Sequence, residues 1–202
     1  MKIDFWFDPI CPWCWLTSRW LLNEVAPERD LEINWRTISL KFKNNPDESS
    51  PFFEPVGHTL GLLRVFTTIK QELGNEAGQN FYTEAGMAIH NNDNKQVTAE
   101  ELLTAADIDQ KFAASYNDET LDAVIQADMD QGLALVGEDV GTPIIGFETA
   151  SGPKAIFGPV ISSVPENLED SLKLWDSIIT IASMDNFWEL KRTRTEQPNF
   201  NF

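Results

Sequence analysis

The segment Cys11-Pro12-Trp13-Cys14 decides how this chain is interpreted, and it follows the strand-like run Lys2-Ile-Asp-Phe-Trp-Phe7. Cys11 and Cys14 are the only two cysteines in the sequence. Thiols at this spacing can form a reversible disulfide, because the second thiol can attack a mixed disulfide formed by the first. The segment therefore predicts a dithiol–disulfide redox centre in which one cysteine attacks and the other releases the product.

Three other roles for the cysteine pair compete with redox chemistry. A structural disulfide across so short a loop would constrain the unfolded chain little. A closed zinc site would need two more ligands, and the sequence offers only His58 and His90, both remote from the pair. Two buried cysteines without a role fit poorly with Pro12, which is typical of a helix start. We therefore expect redox chemistry and no metal.

Composition and charge narrow the classes of partner. The chain has 202 residues, of which 42% are hydrophobic, and this is enough for one sizeable core. Its formal net charge of -17 would repel nucleic acid and anionic membrane surfaces. No signal-peptide pattern or membrane-span pattern is present. We expect a cytoplasmic protein, where a CxxC pair is usually catalytic, and no apolar stripe requires an oligomer.

The N-terminal third predicts a β-α-β unit. Residues Ile3 to Phe7 form the first strand, and a helix begins near Pro12 and ends at Ala26-Pro27. The alternating run 31–40 forms a second strand, parallel to the first. Cys11 is thereby placed at a helix N-terminus, where the helix dipole favours the thiolate form.

The remaining chain predicts an α/β thioredoxin-like fold with a large inserted α-helical subdomain. Residues 44–137 have a helical pattern that includes a capping box at Thr98 and Glu101, so we expect a helical insertion there. Two short strands around Ile144 and Ile156 and a final helix from about Pro165 follow. The predicted thioredoxin-like domain comprises residues 1–43 and 138–202.

The thioredoxin fold assigns a role to Thr142-Pro143, which precedes the third strand. In that fold the loop entering this strand faces the start of the CxxC helix, so we expect a cis peptide bond at this position. Cis bonds are a minority of X-Pro bonds in folded proteins, so the expectation rests on the fold, and a trans proline starting a strand is the alternative. The cis form would leave the Thr142 backbone free to pair with an extended substrate.

Sequence segments along nearly the whole chain resemble one family, the actinobacterial, mycothiol-dependent branch of the DsbA-like thioredoxin-fold oxidoreductases, often labelled nitroreductases. These segments are Asp4-Phe-Trp-Phe-Asp-Pro9, Cys11-Pro-Trp-Cys14, Thr17-Ser-Arg-Trp-Leu21, Ile89-His-Asn91, Val136-Gly-Glu-Asp-Val-Gly-Thr-Pro143, Phe157-Gly-Pro-Val160, Lys173-Leu-Trp-Asp176 and Glu189-Leu-Lys-Arg-Thr-Arg-Thr-Glu196. The bare CxxC is a weak signal, whereas the whole set is specific.

The resemblance implies a cytosolic thiol-disulfide oxidoreductase that binds no cofactor and is reduced by mycothiol or by a mycoredoxin- or thioredoxin-type protein. Its substrates would be disulfides or electrophiles, nitro compounds among them. The family's site residues match Asn44 and His90 here, and its pocket tyrosine falls on Phe52, which lacks the hydroxyl. A surface or helix-capping role is the alternative for His90.

Other residues near the motif allow two interpretations each. Trp13 either stacks on a ligand or only shields the disulfide. Asp8 either accepts the proton of Cys14 or serves as a turn residue before Pro9. Arg192 and Arg194, in the only basic cluster, either hold an anionic thiol ligand or belong to a solvated tail.

Two functions from other classes compete with the reductase. Kappa-class glutathione transferases and 2-hydroxychromene-2-carboxylate isomerases share the helical insertion, but there a serine often replaces the attacking cysteine. The intact pair Cys11 and Cys14 argues against that class. A binding protein with a vestigial CxxC is the third interpretation, and it predicts thiols that do not cycle under mild oxidant.

Overall fold

A four-stranded mixed sheet forms the centre of the protein, whose computed structural model describes all residues 1–202. The strands are β1 (Lys2–Phe7), β2 (Glu32–Thr37), β3 (Ile144–Thr149) and β4 (Gly152–Phe157), in the spatial order β2-β1-β3-β4. β1 pairs parallel with β2 and antiparallel with β3, and β3 pairs antiparallel with β4. The predicted parallel pair is therefore confirmed.

Helices connect the strands and account for most of the chain. They are α1 (Pro12–Trp20), α2 (Ala26–Arg29), α3 (Leu40–Asn44), α4 (Phe53–Leu73), α5 (Asn75–Gly86), α6 (Ala99–Ala105), α7 (Asp122–Val136) and α8 (Leu168–Ala182). The capping box predicted before α6 is present, with the Thr98 hydroxyl accepting from the Glu101 N–H at 3.2 Å. The segment between β2 and β3 contains helices and no strand. The proposed division into domains at residues 44 and 137 stays a prediction.

The prediction that the first helix ends at Ala26-Pro27 is wrong. The chain continues through a π-helical turn, Leu21–Val25, directly into α2. Pro27 is tolerated because it lies at the start of a helical turn, where a backbone N–H is not required. The helical path ends only at Asp30, which adopts a left-handed conformation with φ of 45°.

Aromatic side chains fasten α1 and the helices after β2 to the sheet. Phe7 on β1 packs on Tyr82 of α5 with ring centroids 3.8 Å apart, and Trp15 of α1 meets Tyr82 edge-on. A Cβ atom at Gly86 would lie 2.1 Å from the Trp15 ring, so only glycine permits this contact. The dithiol helix is thereby held between the sheet and α5.

No helix is both long enough and apolar enough to span a lipid bilayer.

Candidate active site

Cys11 is the residue immediately before the first turn of α1, and the chain around it favours that position. The backbone of Cys11 is extended, and Pro12 occupies the first helical turn, where its missing N–H costs nothing. The Cys11 N–H donates to the carbonyl of Asp8 at 3.0 Å, which closes a turn after β1. The Cys11 sulfur accepts a hydrogen bond from the Cys14 N–H at 3.4 Å. Cys11 therefore caps its own helix with its sulfur atom.

A second donor to the Cys11 sulfur comes from the loop before β3. The Thr142 hydroxyl donates to Sγ at 3.0 Å, and the Cys11 thiol lies 3.8 Å from the Thr142 carbonyl oxygen. Both residues are buried. The Thr142–Pro143 peptide bond is cis. This loop is thus the element that faces the helix start.

The two thiols have pKa values shifted in opposite directions. Burial opposes ionisation of Cys11, but hydrogen bonds from the Cys14 thiol, the Thr142 hydroxyl and the N–H groups of Cys14 and Trp13 outweigh it and lower the Cys11 pKa. Burial, together with the neighbouring Cys11 sulfur, raises the pKa of the Cys14 thiol well above its usual value. Cys11 is 4% exposed and Cys14 is 0% exposed. The Cys11 thiol therefore ionises more readily than the Cys14 thiol.

Asp8 is a fully buried carboxyl group behind the dithiol. Its two oxygens accept hydrogen bonds from the N–H groups of Ile10, at 3.0 Å, and Leu40, at 2.8 Å. Burial raises the pKa of Asp8 to about 6, against the effect of these bonds and of one from Thr59. The turn role predicted for Asp8 is present, and the carboxyl group also joins the dithiol loop to the start of α3. The sequence pattern carried no signal for the second contact.

His90 lies in a π-helical turn, Met87–Asn91, beside the dithiol loop. Its Nε2 hydrogen-bonds with the carbonyl of Pro9 at 2.8 Å, and its ring stacks on Trp15 at 6.3 Å. Burial lowers the pKa of His90 to about 4, so the ring is neutral at physiological pH. In that state Nε2 carries the proton that it donates to Pro9. His90 thus contacts the dithiol loop rather than a sulfur atom.

Trp13, between the cysteines, is partly buried and has the Arg194 guanidinium 5.2 Å from its ring centroid. Asn44, the last residue of α3, is exposed, and Phe52, just before α4, is 68% exposed. No hydrogen bond joins either residue to the dithiol. The structure therefore places Thr142, which precedes Pro143, against Cys11 and places His90 against the loop that carries Cys11. Trp13 lies in the dithiol motif itself, and Asn44 and Phe52 lie at the surface.

Two supporting side chains were not predicted as site residues. Arg19 is buried in α1 with its guanidinium 4.2 Å from the Trp15 ring, and it donates to the Thr83 hydroxyl at 3.0 Å. Burial lowers the pKa of Arg19 to about 10. The Trp15 indole N–H also donates to Asn91 at 2.9 Å. Arginine is seldom buried without a carboxylate, so composition gave no reason to place Arg19 here.

The two histidines do not approach the sulfur atoms as metal ligands. His58 hydrogen-bonds with the Tyr116 hydroxyl at 2.7 Å and the Val97 carbonyl at 3.1 Å, and His90 bonds to Pro9 as described. No group of three or more His, Cys, Asp or Glu side chains is gathered where it could hold a metal ion.

A mixed sheet, a dithiol at a helix start, a threonine–proline loop facing it and a helical segment between β2 and β3 together form a thioredoxin fold of the DsbA-like type. Comparison with known families gives the particular group. The family model described as "Rv2466c-like: Mycothiol-dependent nitroreductase Rv2466c" matches residues 10–192, and the chain belongs to this family. The predicted family and fold class are both confirmed.

One relative and two solved structures are similar to this chain. The chain is 25% identical over 198 residues to the uncharacterized protein Rv2286c of Mycobacterium tuberculosis, covering 96% of this chain and 82% of the relative. A putative protein disulfide isomerase from Nitrosomonas europaea aligns with a TM-score of 0.60 at 15% identity, covering 89% of this chain and 98% of the other. A probable DsbA oxidoreductase from Streptomyces coelicolor aligns with a TM-score of 0.59 at 14% identity, covering 96% and 94%. At these identities the structural likeness shows the fold alone.

Proposed function

We propose that this protein is a cytoplasmic thiol-disulfide oxidoreductase that works through the Cys11/Cys14 dithiol and is reduced by mycothiol. The observation that carries the proposal is the asymmetry of the two thiols. Cys11 caps a helix, accepts the Thr142 hydroxyl at 3.0 Å and has a lowered pKa, whereas Cys14 is fully buried and has a raised pKa. An attacking thiolate and a shielded resolving thiol are what two-step disulfide exchange requires.

The reductive half-reaction on a substrate disulfide has two displacements. The Cys11 thiolate attacks one sulfur of the substrate, so that a mixed disulfide forms and the other substrate sulfur leaves as a thiolate. Cys14 then gives its proton to the first substrate thiolate and attacks the Cys11 sulfur, which releases the second substrate thiolate and leaves the Cys11–Cys14 disulfide. Two electrons pass from the dithiol to the substrate. Two thiol molecules restore the dithiol by the reverse sequence and are themselves joined as a disulfide.

The substrate-binding surface we propose lies around Cys11. Thr142 and Pro143 would pair with the substrate backbone or chain, Trp13 would stack on it, and His90 would hold the dithiol loop through Pro9. Asn44 and Phe52 enter this surface only through the family resemblance. Their exposed positions are compatible with contact to a ligand larger than a simple disulfide.

Mycothiol is proposed as the thiol cosubstrate because the family to which the chain belongs is described as mycothiol-dependent. No bound cofactor is needed, since the dithiol carries both electrons. A mycoredoxin- or thioredoxin-type protein is the other reductant that this chemistry would accept. A nitro substrate also fits the electron count, because reduction of a nitro to a nitroso group takes two electrons and two protons and releases water.

The proposal is tested by mixing the oxidised protein with mycothiol, glutathione or a reduced thioredoxin, and following the formation of free thiols by intact mass. We expect mycothiol to reduce the Cys11–Cys14 disulfide rapidly and selectively. Cys14→Ser, which retains the attacking thiol, should accumulate one mycothiol per chain when mixed with mycothiol disulfide. If thioredoxin reduced the protein and mycothiol did not, mycothiol would not be the reductant, and the dithiol mechanism would remain in place.

A further inference from the structure

The C-terminal segment 191–202, here called the C-terminal strap, crosses the face of the protein that contains the dithiol. It contains no helix or strand and is held by hydrogen bonds to two separate parts of the fold. The Asn199 N–H donates to the Ser162 carbonyl at 2.8 Å, and the Ser162 hydroxyl donates to Glu196 at 2.9 Å. The Asn91 side chain donates to the Phe200 carbonyl at 3.2 Å. The strap therefore bridges the loop after β4 and the turn that contains His90.

Aromatic contacts bring the same strap to the residues that surround the dithiol. The Phe200 ring lies 5.4 Å from His90, which is itself bonded to Pro9, and the Phe202 ring lies 6.4 Å from Trp15. Phe200 is partly buried against the main core. These contacts hold the strap next to the loop that carries Cys11.

One cationic side chain of the strap reaches the dithiol motif itself. The Arg194 guanidinium carbon lies 5.2 Å from the ring centroid of Trp13, the residue between the two cysteines. A guanidinium stacked on an aromatic face keeps the N–H groups along its edge available to a carboxylate. Arg194 takes part in none of the ion pairs of the structure. Its charge is therefore not neutralised by a protein carboxylate.

The positive charge of Arg194 matters because the rest of the chain is strongly negative. At -17, the protein as a whole repels an anionic substrate. A positive charge over Trp13, the residue between the two cysteines, offsets that repulsion where the substrate must approach. We propose that Arg194 is a specificity-determining residue that selects disulfide substrates carrying a carboxylate close to the disulfide bond, a proposal that rests on the proposed thiol-disulfide exchange at Cys11.

The experiment compares two aromatic disulfides that differ in charge. The reduced protein is mixed with 5,5′-dithiobis(2-nitrobenzoate), which carries two carboxylates, or with neutral 4,4′-dithiodipyridine, and release of the coloured thiol is followed. In each case Cys11 displaces one aromatic thiolate and Cys14 the second, so the electron balance is the same. The variant is Arg194→Gln, and the matched control is Arg192→Gln, which removes the same charge from a neighbouring exposed residue.

We expect Arg194→Gln to slow the reaction with the dicarboxylate about fivefold at low ionic strength and to leave the neutral disulfide within about twofold of the parent rate. Arg192→Gln should change both rates by less than about twofold, because Arg194, and not Arg192, stacks on Trp13. The defect of Arg194→Gln should shrink as salt is raised. Unchanged thermal unfolding of the variant checks that the fold is intact.

Two results would overturn the proposal. Equal slowing of both disulfides by Arg194→Gln would show that the side chain only supports the position of Trp13. An equal effect of the two arginine variants on the dicarboxylate would show that the overall charge of the strap matters and not the place of Arg194. Neither result depends on mycothiol, so a failure here is distinguishable from a failure of the proposed reductant.

Discussion

Two groups of residues meet at Cys11, and they come from very different distances along the chain. The contiguous segment Asp8–Cys14 supplies both sulfur atoms, the start of the helix and the buried carboxyl group. The facing wall, which we define as Thr142, His90 and Arg194, is brought there by the fold, with Thr142 separated from Cys11 by 131 residues. The segment supplies the nucleophile and most of the donors that favour its ionisation, while the wall adds one hydrogen bond to the sulfur and contacts to the surrounding loop.

This difference in distance along the chain shows which property each region controls. A helix N-terminus favours a thiolate wherever it occurs, so the reactive sulfur needs only local structure. The hydrogen bond of 3.0 Å from the Thr142 hydroxyl to the Cys11 sulfur and the hydrogen bond from His90 to the dithiol loop depend on long-range packing. Variants of the two cysteines should therefore abolish the chemistry, and variants in the wall should only adjust it.

The largest effect is expected from the cysteines. Cys11→Ser should lower turnover by on the order of a thousandfold or more, because the remaining thiol, Cys14, is fully buried and has a raised pKa. Cys14→Ser should keep the first displacement and stall as a mixed disulfide, since the resolving thiol is missing. Steady-state rates with intact-mass analysis measure both. Turnover that survives Cys11→Ser would contradict the roles assigned to the segment.

Asp8 should dominate the pH dependence of stability in the segment. Because burial raises its pKa from 3.8 to about 6, the stability linked to this group is fully present below about pH 4 and is lost as the pH rises through 6. The loss amounts to about 3 kcal/mol for a shift of this size. As the pH rises from 4 to 7, the free energy of unfolding of Asp8→Asn should therefore rise relative to that of the parent by up to about 3 kcal/mol.

Urea denaturation at several pH values measures this difference. Asp139→Asn, which removes a negative charge from an exposed residue, serves as the matched control for net charge. Parallel pH profiles for Asp8→Asn and the parent protein would show that the carboxyl group is not desolvated as the structure requires.

His90, in the wall, should have the opposite dependence on pH. Because burial lowers its pKa from 6.5 to about 4, the unfolded chain takes up the proton first, and stability is lost as the pH falls from about 6.5 to 4. His90→Gln cannot be protonated, so relative to the parent it should gain about 3 kcal/mol over that interval. The double variant with Asp8→Asn should show neither of these two pH-dependent changes in stability. If both single variants changed the pH dependence of stability in the same direction, the opposite roles of Asp8 and His90 would be refuted.

A smaller effect is expected from the Thr142 hydroxyl. Hydrogen bonds to charged groups contribute about 1.5–3 kcal/mol, so Thr142→Val should raise the pKa of Cys11 and slow its alkylation at pH 6 about tenfold. Thr142→Ser keeps the donor and is the control. Thiolate absorbance at 240 nm during a pH titration measures the ionisation directly. An unchanged titration in Thr142→Val would assign the lowered pKa to the helix start alone.

Sequence patterns anticipated the elements whose causes are local. The aromatic run of β1, Pro12 at the helix start and the capping box at Thr98 all appear where they were predicted. The predicted end of the first helix at Pro27 failed, because a proline at the start of a new helical turn does not interrupt a helical path. Asn44 and Phe52 were placed at the site by resemblance, and the fold leaves both exposed.

The sequence by itself determined that a dithiol stands at a helix start after a β-strand, because that outcome depends on residues adjacent in the chain. Only the tertiary structure decided that the Asp8 carboxyl group joins the dithiol loop to Leu40 and that Arg194 lies over Trp13. The physical reason is that desolvation and hydrogen bonding act over a few ångströms. Which distant residues lie within that range depends on packing, and no local pattern encodes it.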